Sequence, residues 1–278
     1  MSQTTTSTAP IITKMIGEQP LQISNLSVIN VDKLEANDGA EIEKLVKAAE
    51  EVGFFYLSFN GQNSETVTND IKKLYKACDD YFSLSREEKM KDFRDGIDRG
   101  YKTGPGHESY EIARDERKTV NLPSKLVPYS QLLEEFSDTC DKVSRTCLRA
   151  LSAGLSLSGS SDLESTHKVD EPNDSGLKLL SGPTEPTVND VPNTTHTDGG
   201  SITLLWCEKW ASQLQVPETK EWLWIEPNSQ YILVNIANSL QRQTGGRLHS
   251  PVHRVTQPVD GVEDRPMISY FLRPSKQI

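Results

Sequence analysis

Two short segments constrain this chain more than any other part of it. The first reads Asn193-Thr194-Thr195-His196-Thr197-Asp198-Gly199-Gly200-Ser201-Ile202-Thr203-Leu204-Leu205-Trp206. The second reads Gly246-Arg247-Leu248-His249-Ser250-Pro251-Val252-His253-Arg254-Val255. Residues two apart on an extended chain leave the same face, so His196 and Asp198 present an imidazole and a carboxylate together. His253 follows Asp198 by 55 residues, room for a few strands that bring it back. Gly199-Gly200 lets the backbone turn sharply behind the pair. Ile202–Trp206, Tyr231–Ile236 and Ile268–Leu272 are short, apolar, β-leaning runs that read as buried strands. Together these features describe an open-ended β-barrel or jelly roll with an ion held in its mouth.

Two imidazoles and one carboxylate on one face of an ion leave the opposite positions open. That ligand set suits a non-haem Fe(II) centre, where the open positions take a cosubstrate and O₂. His-x-Asp alone equally describes a surface loop histidine beside a turn aspartate, and the flanking strands are what favour the metal. His249 is the competing ligand. Its spacing of four from His253 would suit one helix face, but Pro251 lies between them and argues for a loop or strand edge. His107 and His167 sit among polar, Gly- or Ser-flanked residues and read as surface histidines.

The remaining composition excludes several classes. At 278 residues the chain can bury one large core. Its net charge is −10 with acids spread throughout, so neither a nucleic-acid patch nor a basic membrane-binding face is present. No apolar run is long enough to span a bilayer, and the first ten residues lack a signal-peptide core. The four cysteines (Cys78, Cys140, Cys147, Cys207) show no CxxC pairing, and the first three fall in helical patterns. A reducing cytoplasm fits.

Along the chain, residues 1–20 read as a disordered N-terminal segment. Gln22–Val31 reads as a strand. Asn37 or Asp38 can cap a helix carrying Ile42, Leu45, Val46, Ala49 and Val52, which Gly53 ends. Phe54–Leu57 is a buried strand, and Val67, Ile71, Leu74, Cys78 and Phe82 stripe a second helix. Ser85-x-x-Glu88 opens a short one. Residues 91–118 hold Gly96, Gly100, Gly104, Pro105 and Gly106 among Arg99, Tyr101, Lys102, His107 and Tyr110, a composition for a movable lid or a plain connection. Residues 129–157 form the longest helix, with Leu133, Phe136, Cys140, Val143, Cys147 and Ala150 on one face. Residues 158–176 read as a polar loop.

The chain resembles the isopenicillin N synthase-like branch of the 2-oxoglutarate/Fe(II)-dependent oxygenases. The resemblance rests on the His196–Leu205 run, Leu214-Gln215-Val216, Leu233–Ile236, Leu240-Gln241-Arg242, Gly246-Arg247 and Val252–Val255. Glu51–Leu57, Phe82-Ser83-Leu84 and Arg99-Gly100-Tyr101 extend it to the N-terminal half. It implies an α+β fold, a double-stranded β-helix (jelly-roll) core backed by N-terminal and central helices. The expected layout is a single oxygenase domain over 21–278, with a helical part at 21–176 and a jelly-roll metal-binding part at 177–278. The implied ligands are His196, Asp198 and His253, with Fe(II), 2-oxoglutarate as cosubstrate and O₂. Arg265 aligns with the arginine that grips the cosubstrate's far carboxylate, a role that suits a planar fork. Tyr101, Tyr110 and Trp206 are the expected substrate contacts.

The match departs elsewhere. The family's serine falls at Met267, and if Pro183 is the family's proline, its asparagine and tyrosine fall at Leu180 and Gly182. Each unreplaced hydrogen bond to a charged group costs roughly 1.5–3 kcal/mol. Thr203, Lys178 or Ser181 are the available substitutes. The implied reaction is oxidation (hydroxylation, desaturation or cyclisation) of a small organic metabolite, a tailoring step in specialised metabolism. An iron/O₂ oxidase without 2-oxoglutarate and a non-catalytic partner or binding subunit are the alternatives. With only Arg273–Ile278 after the last strand, the mouth is expected to be open. Substrate, the 91–118 segment, or a second subunit in a homo- or hetero-dimer would close it.

Overall fold

A computed structural model describes residues 11–104, 107–168, 171–182, 194–262 and 265–275. Residues 1–10 and Pro183 lie outside them. The chain opens on a hairpin, β1 (Ile11–Ile16) and β2 (Gln19–Ser24), followed by β3 (Val28–Asn30), α1 (Val31–Glu35), α2 (Gly39–Glu51) and β4 (Phe54–Ser58). Helices α3 (Gly61–Phe82) and α4 (Arg86–Lys89) lead to β5 (Gly100–Gly104) and β6 (His107–Ala113). The long α5 (Ser130–Gly154) comes next. Then follow β7 (Gly176–Ser181), β8 (Ile202–Cys207), β9 (Ser212–Gln215), β10 (Trp222–Trp224) and β11 (Ile232–Ile236). The short α6 (Asn238–Gln243), β12 (His253–Val255) and β13 (Met267–Leu272) complete the order.

The strands form two sheets. One has five strands in the order β1-β2-β10-β9-β12, and the other eight in the order β3-β4-β11-β8-β13-β7-β6-β5. All pairings are antiparallel except β2 with β10 and β3 with β4. This is the expected jelly-roll with helices behind it. Along the eight-stranded sheet the faces alternate. Leu204 and Trp206 turn to the helices while Thr203 and Leu205 turn to the interior of the barrel. The apolar stripe of α5 is buried at all six expected positions, and Phe136 meets Trp206 with ring centroids 5.0 Å apart. That packing makes α5 the backing of the sheet.

Local chemistry explains most element ends. Asp38 caps α2, its carboxylate accepting from the Glu41 amide, and Ser85 caps α4 by accepting from the Glu88 amide. Gly53 stops α2 with φ +74°, and its missing side chain lets the His249 carbonyl approach. A Cβ there would lie 2.2 Å from that oxygen.

Three expectations need correction. The disordered segment does not extend to residue 20, because β1 pairs with β2 from Ile11↔Ser24 to Ile16↔Gln19. Its apolar residues gave no signal because Ile12 and Met15 stay 41% and 60% exposed on an edge strand held by backbone bonds. The 91–118 segment is not a loop throughout. It contains β5 and β6, paired from Gly100↔Glu111 to Gly104↔His107 and joined through β6 to β7. Finally, the helical part expected over 21–176 also contributes strands, since β3 to β6 come from it and lie in the eight-stranded sheet.

Gly53→Ala combines a positive φ with a backbone clash. It should cost about 2 kcal/mol or more in equilibrium unfolding. Gly39→Ala, at a position with open space around it, should change little.

Candidate metal centre and its cavity

His196 and His253 face each other across an isolated antiparallel bridge, exchanging backbone bonds of 2.9 and 3.0 Å. The bridge continues β12, so the two imidazoles come from adjacent chains at one barrel rim. Asp198 lies two residues on, where its backbone carbonyl accepts from Asn238 at the start of α6. The three side chains each offer a ligand atom, all within 4.8 Å of one another. Nε2 of His196 and of His253 lie 3.6 and 3.9 Å from the same Asp198 oxygen, Oδ1.

Hydrogen bonds orient each ligand. His196 Nδ1 bonds the Thr194 carbonyl at 2.5 Å and His253 Nδ1 bonds the Pro251 carbonyl at 3.0 Å. Both rings must protonate Nδ1 to donate there, which leaves both Nε2 lone pairs for an ion. The other Asp198 oxygen, Oδ2, accepts from Thr203 Oγ1 at 2.6 Å and Asn235 Nδ2 at 2.8 Å. Oδ1 is thereby aimed at the imidazoles. Phe54 supports His253 edge-on at 5.4 Å.

The electrostatics agree with a preformed cation site. Burial acts to raise the Asp198 pKa. The neighbouring His196 and His253 imidazoles and the bonds from Thr203 and Asn235 outweigh it, and the carboxyl sits well below its usual range. Asp198 raises the His196 pKa against the effect of burial. Burial lowers that of His253. A carboxylate held ionised between two imidazoles with free Nε2 atoms fits a divalent ion of the iron type.

The triad opens onto a cavity of about 500 Å³ between the two sheets. One wall is Thr203, Leu205, Leu233 and Asn235, with Met267, Ser269 and Phe271 beside them. Lys178, Leu180, Ser109, Lys102 and His107 continue it, and Ser212 and Val255 face it from the smaller sheet.

Several expected site residues lie elsewhere. Arg265 is fully buried and does not line the cavity. Its guanidinium donates to Asp260, to Gln257 Oε1 at 3.0 Å and to the carbonyls of Trp210 at 2.7 Å and Val262 at 3.1 Å. Here the guanidinium is paired with a carboxylate and bonded on every nitrogen, and it does not face the cavity as the expected cosubstrate grip would. Tyr101 and Tyr110 are 1% and 2% exposed, packed around Tyr81 of α3, and Tyr101 donates to Glu108 at 2.6 Å. Trp206 packs on α5. All three point away from the cavity, and their neighbours Lys102, Ser109 and Leu205 point into it. The period-two alternation put the aromatic residues on the helix side.

His249 stays outside the metal group, as expected. His167 is buried rather than at the surface, bonding Leu163 O at 3.0 Å and Ser201 Oγ at 2.8 Å. Burial lowers its pKa to about 4, so it is a neutral prop beneath the Asp198 turn. Asn235 is the functional residue the sequence reading passed over. A lone amide in the otherwise apolar Ile232–Ile236 run was the available signal.

If Arg265 is structural, removing its counter-charge should cost stability. Asp260→Ala leaves a buried guanidinium uncompensated and should lower unfolding free energy by about 3–5 kcal/mol in a denaturant titration. A loss under about 1 kcal/mol, typical of a surface pair, would return Arg265 to the list of free cations.

Comparison with known proteins agrees with this geometry. Residues 182–274 match the 2OG-Fe(II) oxygenase superfamily, and residues 26–138 match the non-haem dioxygenase in morphine synthesis N-terminal family. A 2-oxoglutarate-dependent dioxygenase of Gibberella zeae is 31% identical over 272 residues, 92% of this chain and 81% of its own length. Another, from Dothideomycetidae sp., is 31% identical over 277 residues, 93% of this chain and 85% of its own. Among solved structures, a full-length Neurospora crassa protein in complex with alpha-KG superposes with a TM-score of 0.75 at 23% identity, covering 91% and 85% of the two chains. The dioxygenase for auxin oxidation 1 from Arabidopsis thaliana gives 0.73 at 17%, covering 91% and 94%. The triad, the cavity and two relatives matched along nearly the whole chain place this protein in the 2-oxoglutarate/Fe(II)-dependent oxygenase family.

Proposed function

We propose that His196, Asp198 and His253 hold the Fe(II) of this dioxygenase, and that its substrate is a small organic metabolite oxidised in a tailoring step of specialised metabolism. The observation that carries the ligand assignment is the convergence of both Nε2 atoms on Asp198 Oδ1 at the wall of the cavity. When bound, iron and 2-oxoglutarate supply the oxidising chemistry with O₂. The chain's own residues set the geometry. Thr203 and Asn235 fix the carboxylate, and the backbone carbonyls of Thr194 and Pro251 fix the rings. Leu205, Leu233, Met267 and Phe271 give the cavity an apolar wall that excludes water from the reacting carbon.

We read the described residues as one domain, because the cavity takes lining from β4, β5 and β6 as well as from β7, β8, β9, β11, β12 and β13. Its described cysteines are free thiols, in keeping with a cytoplasmic setting. Among the described residues no helix is long and apolar enough to cross a membrane.

Alanine at His196, Asp198 or His253 should abolish iron retention after anaerobic reconstitution and O₂-dependent succinate release, with the fold intact by circular dichroism. His249→Ala should keep its iron. The reverse pattern, metal lost with His249 and kept without His253, would reassign the ligands. Asn235→Ala removes a group that orients Asp198, so metal affinity should fall about 10–100-fold. An unchanged affinity would make Asn235 a packing residue. Substrate-dependent succinate release across a panel of small metabolites tests the reaction itself.

A further inference from the structure

The cavity carries polar groups that the metal site does not use. Two of them sit on the β5–β6 hairpin, at the end of the wall remote from the triad. Lys102 and Ser109 stand directly opposite each other in that pairing, and both line the cavity. Cβ atoms so paired lie about 4.5–5.5 Å apart, so the ammonium and the hydroxyl can meet one group between them.

Neither is committed to another charge. Ser109 is 3% exposed, and its hydroxyl bonds no described residue. Buried hydroxyls are as a rule hydrogen-bonded, so this one is a natural point of contact for what the cavity receives. Lys102 donates to the Arg94 carbonyl and lies over the Phe93 ring at 4.6 Å, contacts that hold its stem and leave further N–H donors. It forms no ion pair with a described residue, whereas Lys178, the other described lysine of the cavity, is paired with Glu111 at 3.5 Å. A half-buried ammonium without a carboxylate favours an anion over a neutral acceptor. Asp98 also lines this end, but it is exposed, and its repulsion is damped by water and salt.

The wall between this pair and the metal is apolar. Ser109 pairs with Leu180, and Leu180 with Met267. Phe271 follows on the same strand as Met267 and pairs with Thr203, which fixes Asp198. Three strand-to-strand steps separate β6 from β8, roughly 14 Å along the curve of the sheet. A five-carbon diacid chelated at the metal is too short for that span, so the pair serves a different molecule.

We propose that Lys102 and Ser109 form an anion seat for the primary substrate, which is an elongated, mainly apolar carboxylic acid oxidised at a carbon far from its acid group. This deepens the functional reading above and rests on its metal assignment.

Calorimetric titration of the full chain, loaded with Mn(II) and saturated with 2-oxoglutarate, tests the seat. The probes are 6-phenylhexanoate and 6-phenylhexanamide, one elongated body with an anionic or a neutral head. Wild type should bind the acid at least about 10-fold more tightly than the amide. Lys102→Met should weaken the acid roughly 10–100-fold and the amide by less than about threefold, Ser109→Ala should act in the same direction but less, and Lys102→Arg should recover part of the loss. Lys102→Glu should reverse the order and favour 6-phenylhexylamine, a change that mere loosening of the hairpin would not produce. A wild-type protein that takes up no Mn(II) overturns the metal assignment and the seat with it. One that takes up Mn(II) and 2-oxoglutarate but binds neither probe, or both alike, overturns the seat alone. So does a folded Lys102→Met that matches wild type, an acid preference that is lost in Lys178→Met instead, or a loss of 2-oxoglutarate binding in Lys102→Met as large as the loss of the acid.

Discussion

The Asp198 carboxylate is the point on which the site depends. A buried carboxyl tends to become neutral, and a neutral one is a poor ligand. Here Thr203 and Asn235, opposite each other on neighbouring strands, hold Oδ2, while two imidazoles face Oδ1. The ionised form therefore prevails before any ion arrives. Because both anchors come from the barrel wall, the position of the carboxylate is as fixed as the pairing of β8 with β11. The metal site is a property of the sheet rather than of its loops.

The same alternation that supplies these anchors separates two kinds of interior. On one face of the larger sheet, leucines, tyrosines and Trp206 pack against α3 and α5. On the other, serines, threonines and lysines join Leu205, Leu233, Met267 and Phe271 around the cavity. A barrel filled with aromatic residues on both faces would have no room for a ligand.

Much of this was legible in the sequence, and what was not has physical causes. His196, Asp198 and His253 were readable because a two-residue spacing on an extended chain has a geometric meaning. The helices were readable because α2, α3 and α5 bury one stripe each. Tyr101, Tyr110 and Trp206 were misassigned because aromatic residues beside a site suggest contact, whereas their face is decided by strand register. The 91–118 glycines suggested mobility, yet Gly100 has φ +68° and closes on the Asp92 carbonyl, a requirement of close packing. Arg265 occupies its family position in sequence, but a loop that places Asp260 against it changes its charge environment. No pairwise alignment of the arginine alone carries that information.

The bridge between His196 and His253 bears on how long the protein survives in a cell. β12 is three residues long and forms the outer edge of the five-stranded sheet, so few backbone bonds hold that rim closed. Short edge strands belong to the part of a fold that opens first. An ion joining the two imidazoles to Asp198 would tie this edge to the turn below it, and a ligand that binds only the closed form stabilises it by mass action. Iron supply would then act on the protein's turnover by proteases as well as on its catalysis.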